Sequence, residues 1–349
     1  MENYLNILDN ILRNGTWKQN RTGIDTISIS GAMFEHDMSK GFPLLTTKEM
    51  QPKSILSELE FFISGRTDKE WLRKNKNRIW DDWCNPDALS KYSFLEENIE
   101  TEFKEIMSRT ENINHKKMKR IDNLIEKANE YFNENFELKN KPDSKLIDVI
   151  KKLAQYSEND LGPIYGWQWR HFGGSYKLHS QTSNPEYENY ENEGIDQLKY
   201  IIDGLKNNPE SRRLICNSWN PLDIERMALP PCHYGFQILS DGENIDLIWQ
   251  QRSVDTALGL PYNIASYATL LHLLSKESNL IPRKLIGQLG DVHIYKNQLK
   301  GVKKQLSREP RELPEIITDN FESIFDWNYQ DTSIVNYKPH PKIKFDIAV

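Results

Sequence analysis

The sequence reads as one large domain of mixed helix and strand, within reach of either an α/β or an α+β arrangement. Three observations lead there. The 349 residues are 38% hydrophobic and 11% aromatic, enough for a sizeable core in a single large domain. Residues 234–240 and 243–252 are strand-like runs flanking Asp241-Gly242, a turn signal for a two-residue hairpin loop. Residues 54–64 and 263–275 are apolar around most of their circumference, which predicts buried helices that need neighbours on several sides.

Taken in order, residues 2–14 predict a helix with Tyr4, Leu5, Ile7, Leu8, Ile11 and Leu12 on one face and Gly15 at its end. Residues 26–34 alternate as a strand. Gly41-Phe42-Pro43 breaks the chain before the buried helix at 54–64. Residues 86–159 change character: Lys, Glu, Asn and Asp dominate, with helical patterns near 92–108, 116–136 and 144–157. They read as a helical insertion with a solvated exterior, and the Lys-rich run 115–120 as part of that exterior. Gly- and aromatic-rich sequence returns at 160–174, suited to a loop lining a cavity, and a polar loop occupies 175–193. A helix follows over 195–207, then strands at 214–219 and in the hairpin. The central helix starts near Asn263, and a short strand covers 290–295. Residues 337–349 read as extended, and no internal repeat is visible.

The totals narrow the function classes. A net charge of −6 argues against a broad nucleic-acid footprint, so nucleic acid is an unlikely partner and anion binding must be local. Cys84, Cys216 and Cys232 form an odd, widely spaced set without CxxC, indicating neither a disulfide framework nor a zinc site. The N-terminal helix is acidic and amphipathic, unlike a signal peptide, and no apolar run reaches membrane-spanning length. The expectation is a soluble, cytoplasmic protein without a metal or a membrane.

Several residues carry chemistry. The hairpin puts Cys232 at one strand end, opposite Gln251 and beside Arg252 at the other. A nearby cation favours the thiolate, the nucleophilic form, and can also hold an anionic group. The same spacing fits a structural cysteine beside a surface arginine. Glu58 lies on a buried helix, where a carboxylate must be solvated, paired or used. The cluster Ile79-Trp80-Asp81-Asp82-Trp83 fits a ligand-stacking wall or ordinary core. Asn263, just after Pro261, is placed to aim its amide into a site, while His272 reads as a core histidine. His293 and Tyr295 share a strand face by their i, i+2 spacing.

Together the motifs resemble a known family. PPCH, QRSVDTALGLPYNIASYA and GDVHIYKN, with RTG and GFPLLTTK upstream, resemble thymidylate synthase. SELEFF, IWDDW, DLGPIYGWQWR, SRRLI and the Ala-Val terminus extend the similarity over most of residues 1–90 and 160–349. The resemblance implies an α+β fold: a large mixed β-sheet packed with helices, in a single catalytic domain over 1–349 carrying the small helical insertion at about 86–159. It implies reductive methylation of dUMP to dTMP, with 5,10-methylenetetrahydrofolate as co-substrate. Cys232 is the implied nucleophile at uracil C6. Asn263 would donate to O4 and accept from N3–H, where an aspartate would have pointed to dCMP. Glu58 is implied as the carboxylate that moves protons through water, and Tyr165 as a partner in removing the C5 proton.

For dUMP, the implied phosphate ligands are Arg21, Arg252 and Ser253, with Arg212 and Arg213 reaching over from the other subunit of a homodimer packed sheet to sheet. Asp255 is implied as well on this side, and His293 and Tyr295 for the ribose 3′-hydroxyl. For the folate, Ile79 and Trp80 resemble a stacking wall and Asp255 a pterin contact. Gly259 and Tyr262 line the site, Lys48 and Gln51 lie toward the glutamyl tail, and Ala348 belongs to a closing terminus.

Some positions depart from the family pattern: Glu49 and Gln51 where Arg and His are usual, His171-Phe172 in place of Ala-Trp, and Gln250 in place of Tyr. They bear on folate affinity and on packing of the phosphate loop. The alternative activity is a dUMP hydroxymethylase, in which water instead of hydride captures the methylene intermediate. A non-catalytic nucleotide- or RNA-binding relative would be expected to lack Cys232, Glu58 or Asn263, and all three are present.

Overall fold

The computed structural model describes residues 1–20, 22–81, 83, 159–174, 176 and 194–345. Arg21, Ala348, the predicted insertion helices and nearly all of the 175–193 loop lie outside the described residues. Among the described residues the helices are α1 (Glu2–Asn14), α2 (Pro52–Ile63), α3 (Lys69–Lys74), α4 (Tyr165–His171), α5 (Gln197–Asn207), α6 (Gly259–Ser278) and α7 (Leu299–Leu306). The strands are β1 (Thr16–Lys18), β2 (Thr26–Asp37), β3 (Ile215–Asn217), β4 (His233–Ser240), β5 (Asn244–Asp255), β6 (Ile281–Tyr295), β7 (Glu315–Thr318) and β8 (Thr332–Val335).

Six strands form one mixed sheet in the order β1-β2-β6-β5-β4-β3. Only β5 and β6 pair in parallel, and α6 supplies the crossover that a parallel pair requires. The α+β expectation and the large mixed sheet are therefore observed. A row running across the sheet, Phe34, Gly287, Trp249, Phe236 and Cys216, is buried. Tyr267 of α6 stacks on Trp249 with ring centroids 5.4 Å apart, seating the central helix on this face. Gly287 makes room for that seat: a Cβ there would lie 2.5 Å from Cη2 of Trp249. The neighbouring row, Glu35, Ile286, Ile248, Gln237 and Ile215, points the other way by pleat alternation and is exposed or half-buried.

Helix α2 begins with Pro52, whose missing N–H costs nothing at a first turn. Its Ile55, Leu56, Leu59, Phe61, Phe62 and Ile63 are buried, as its all-round apolar pattern predicts. Helix α4 lies close on α2 because Gly166 has no Cβ to meet the Phe62 carbonyl oxygen, which would be 2.9 Å away. That approach stacks Tyr165 on Phe62 at 4.8 Å.

Several elements differ from the sequence reading. The stretch 160–174, read as a cavity-lining loop, contains helix α4, because Tyr165, Trp167 and Trp169 are buried among neighbours and outweigh the flanking glycines. The hairpin loop has four residues rather than two: Ser240 pairs with Ile245, and the Asp241 carboxylate accepts the N–H groups of Glu243 and Asn244. An aspartate that caps its own turn this way favours a longer loop over the tight two-residue one. A bulge between His233 and Gly235 recovers one position of the resulting two-position slip, so Gln251 pairs with His233. The Arg252 N–H donates to the Cys232 carbonyl at 2.8 Å. Strand β6 is also far longer than the predicted 290–295, since Pro282, Gly287 and Gly290 resemble breakers in sequence but are accommodated in the sheet. Finally, α7 and the β7–β8 hairpin carry no strong sequence signal and have no counterpart in the sequence reading.

Candidate active site

The ends of β4, β5 and β6 converge with α2, α4 and the first turns of α6. Cys232 immediately precedes β4 and is half-buried. Its backbone N–H donates to the Tyr165 hydroxyl at 2.7 Å, so α4 and the β4 entrance are tied at the thiol-bearing residue. Burial, and then the neighbouring Cys232, push the Tyr165 hydroxyl well above its ordinary pKa, so it stays protonated at neutral pH. His233, next in the chain, stacks on Tyr165 at 4.4 Å, and its Nδ1 lies 2.9 Å from the Tyr267 hydroxyl. Burial lowers its pKa to about 3, so it is a neutral ring. Cys216, by contrast, is fully buried in the sheet, and burial raises its thiol pKa, which suits a structural cysteine.

Glu58 projects from α2. Its Oε1 accepts the Trp80 indole N–H at 2.8 Å. Burial raises the carboxyl pKa from 4.5 to about 7, with the Trp80 bond acting in the opposite direction. This is the range in which a carboxyl can both give and take a proton at neutral pH. Tyr262, raised first by burial and then by Glu58, senses the same carboxylate from α6. Trp80 is buried and packs edge-on to Tyr165 at 6.1 Å, joining the aromatic wall to the Cys232 side. Ile79 is half-buried beside it.

Asn263 lies in the second turn of α6 rather than at its start, with its Oδ1 accepting from Gln251 Nε2 at 3.1 Å. The same Gln251 amide nitrogen donates to the Ser253 carbonyl at 3.1 Å, and its oxygen accepts from Trp249 Nε1 at 3.2 Å. Gln251 therefore fixes the orientation of the Asn263 amide. Gly259 sits between Asp255 and Asn263, with room for no more than ordinary contact.

Arg252 is exposed. Its Nε and Nη2 donate to the carbonyls of Pro231 and Pro230, both at 2.9 Å, and its guanidinium lies 5.3 Å from the Trp219 ring centroid. The guanidinium is thus preorganised beside the Cys232 loop, and Ser253 is half-buried next to it. Arg212 and Arg213 are exposed, just before β3. His293 is buried, with Nδ1 2.9 Å from Asp291 Oδ1, and Tyr295 lies edge-on to it at 5.1 Å.

Lys48 is placed differently from an open tail-binding residue. It is buried, its Nζ donates to the Ala257 carbonyl at 2.6 Å, and it lies over the Phe345 ring at 4.6 Å. Burial lowers its pKa to about 8, with Asp255 opposing the shift. Glu49 and Gln51 are exposed. His272 bonds Thr318 Oγ1 at 3.1 Å, as a core histidine would. Sequence reasoning gives no role to Gln251 or to His233. Both lie inside quoted motifs, but an amide or a neutral ring has no charge or spacing signal of its own. Among the described residues no group of His, Cys, Asp and Glu could hold a metal ion, and no helix is long and apolar enough to cross a membrane.

Cysteine, carboxyl, amide, tyrosine and guanidinium at one sheet end form a set suited to nucleophilic addition to a ring, with proton transfer and an anion anchor. The thymidylate synthase family model matches residues 2–349. The chain is 34% identical over 351 residues to a thymidylate synthase of Mycoplasma pneumoniae, covering all of both chains. It is 36% identical over 349 residues to that of Mycoplasma genitalium, again over the whole of both. It is also 36% identical over 346 residues to a bifunctional dihydrofolate reductase-thymidylate synthase of Paramecium tetraurelia, where it spans 61% of that protein's length.

Proposed function

The chain belongs to the thymidylate synthase family, and on that premise we propose that it converts dUMP to dTMP, with 5,10-methylenetetrahydrofolate consumed and dihydrofolate released. The observation that carries this reading is the meeting of Cys232 with Tyr165, and of Glu58 with Trp80, at one end of the sheet. The Cys232 thiolate adds to uracil C6, and the electron pair moves onto O4. Asn263, its amide held by Gln251, pairs with O4 and N3–H and favours that enolate. Glu58 moves protons to and from O4 through water, and Tyr165 takes part in removing the C5 proton. Loss of the sulfur from C6 then frees the product.

The phosphate is held by Arg252, Ser253 and Arg21, and His293 and Tyr295 meet the ribose hydroxyl. Asp291 on His293 Nδ1 leaves Nε2 for that contact. The folate supplies the one-carbon unit and the hydride when bound. Its site draws on Trp80 and Ile79 as a flat apolar wall, on Asp255, Gly259 and Tyr262, and on Gln51 and Ala348 toward the tail, while the buried Lys48 braces the floor through Ala257. The half-buried Asp255 and the buried Trp80 fit a ring system with polar edges and an apolar face.

The active form is a homodimer of single-domain subunits, the insertion at about 86–159 being part of that domain. Support comes from the outer sheet face, where Met33 and Ile215 are 59% and 49% exposed and Ile248 and Ile286 are half-buried. Covering that face with a second copy carries Arg212 and Arg213 toward the partner's phosphate site. The cytoplasm is its compartment.

The test is to mix enzyme, dUMP and methylenetetrahydrofolate. Stoichiometric dihydrofolate and dTMP support the reading. Tetrahydrofolate, with a nucleotide one oxygen heavier than dTMP, would assign the hydroxymethylase reaction instead.

A further inference from the structure

Gln298 closes the 3₁₀ turn Lys296–Gln298 that follows β6, and only 1% of its surface is exposed. Its amide oxygen accepts the Tyr295 backbone N–H at 3.1 Å, and its amide nitrogen donates to Asp255 Oδ2 at 3.0 Å. The other Asp255 oxygen accepts the Leu258 N–H at 3.0 Å. One buried side chain therefore bridges the last residue of β5 and the last residue of β6.

The chemistry of an amide makes this bridge directional. A backbone N–H can only donate, so the oxygen must face Tyr295 and the NH2 group must face the carboxylate. Gln298 and Leu258 then grip the two oxygens of Asp255 from opposite sides, which fixes the plane of the carboxylate. A carboxylate has about four lone-pair directions, so two such bonds leave acceptor capacity for a ligand. Without Gln298, the carboxylate keeps a single tether and turns about its side-chain bonds.

We propose that Gln298 is a positioning residue that presets Asp255 for the folate and, through Tyr295, aligns the ribose end of the nucleotide site. This rests on the proposed roles of Asp255 and Tyr295. It predicts that two substituents at 298 separate the two sites. Gln298→Glu keeps an acceptor for Tyr295, replaces the donor to Asp255 with a second carboxyl, and so adds like-charge repulsion at that oxygen wherever both groups are ionised. Gln298→Met loses both at similar volume.

Steady-state kinetics, dUMP calorimetry and thermal melting are run on the dimeric enzyme and its variants. Gln298→Glu should raise the folate KM at least about tenfold, the loss expected for a hydrogen bond to a charged group, and further at higher pH as the second carboxyl ionises against Asp255, with kcat and dUMP affinity changed much less. Gln298→Met should raise both the folate KM and the dUMP Kd. In an Asp255→Asn background, either variant should add less than about threefold to the folate KM, because the carboxylate to be oriented is gone. Effects that multiply independently in the double variants would overturn the inference. So would a lowered melting temperature with an unchanged folate KM, which would mark Gln298 as structural only. If Gln298→Met does not fold, the Gln298→Glu cycle decides alone. Turnover of dUMP by the unsubstituted enzyme tests the reaction itself, so failure there is distinct from failure of the cycle.

Discussion

Replacing Glu58 by glutamine should change how stability depends on pH. The folded carboxyl holds its proton up to about pH 7, whereas an ordinary glutamate releases it near 4.5. Between those values the folded state carries the extra proton, so stability falls as pH rises through that window. At about 1.4 kcal/mol per tenfold, the full displacement corresponds to about 3 kcal/mol. Glu58 is only half-buried, so solvent recovers part of this, leaving roughly 2 to 3 kcal/mol. The substituted amide is neutral throughout and escapes the penalty. Urea unfolding of the parent and the Glu58→Gln variant, from pH 4.5 to above pH 7, should show the variant gaining by that amount, at equal slope. A stability difference that stays flat across the window would refute the assignment of burial as the cause. In the same variant, the limb near pH 7 in kcat/KM should vanish along with most of the rate.

Trp80→Phe removes the indole N–H that favours the ionised Glu58, so the pH limb should move upward by about one unit as read from kcat/KM profiles. Gly287→Ala drives a methyl into the buried Trp249 ring and should cost about 3 kcal/mol or more in urea unfolding, with the fold retained at low denaturant. Arg212→Glu and Cys232→Ala proteins, each inactive alone, should regain part of the activity on subunit exchange, because one hybrid site receives both intact parts; no recovery in a mixture shown to exchange would count against a shared site.

Where apolar periodicity is strong, sequence and structure agree closely. Helix α1 has the predicted bounds, and α2 begins at Pro52 and ends at Ile63, against a predicted 54–64. The sequence truncates strand β6 because Gly287 looks like a breaker, although its lack of a side chain is what admits Trp249. The hairpin register differs from the sequence reading because the Asp241 side chain bonds its own turn, a preference the Asp-Gly pair conceals. Even so, Cys232 ends beside Arg252, since the bulge at His233 offsets one position of the slip.

The site is legible where a residue's chemistry is unusual for its setting. A carboxylate on an apolar helix marks Glu58, and a cysteine between prolines and an arginine-bearing strand marks Cys232. The Trp80 cluster leaves core and ligand wall open in sequence. The structure makes Trp80 a buried indole bonded to a titrating carboxylate, a pairing that only the α2 fold-back creates. Gln251 and Gln298 are invisible in sequence because neutral amides act only through their neighbours in space. The family resemblance implies that Lys48 faces the glutamyl tail, whereas its ammonium is buried, bonded to the Ala257 carbonyl and set over the Phe345 ring.

The most direct measurement is a mass spectrum of the enzyme after incubation with 5-fluoro-dUMP and methylenetetrahydrofolate, followed by peptide mapping. Fluorine at C5 cannot leave as a cation, so the ring should stay bonded to sulfur and its mass should map to the peptide containing Cys232. An unmodified Cys232 in enzyme that binds both ligands, or the adduct on another residue, would contradict the covalent role assigned to that thiol.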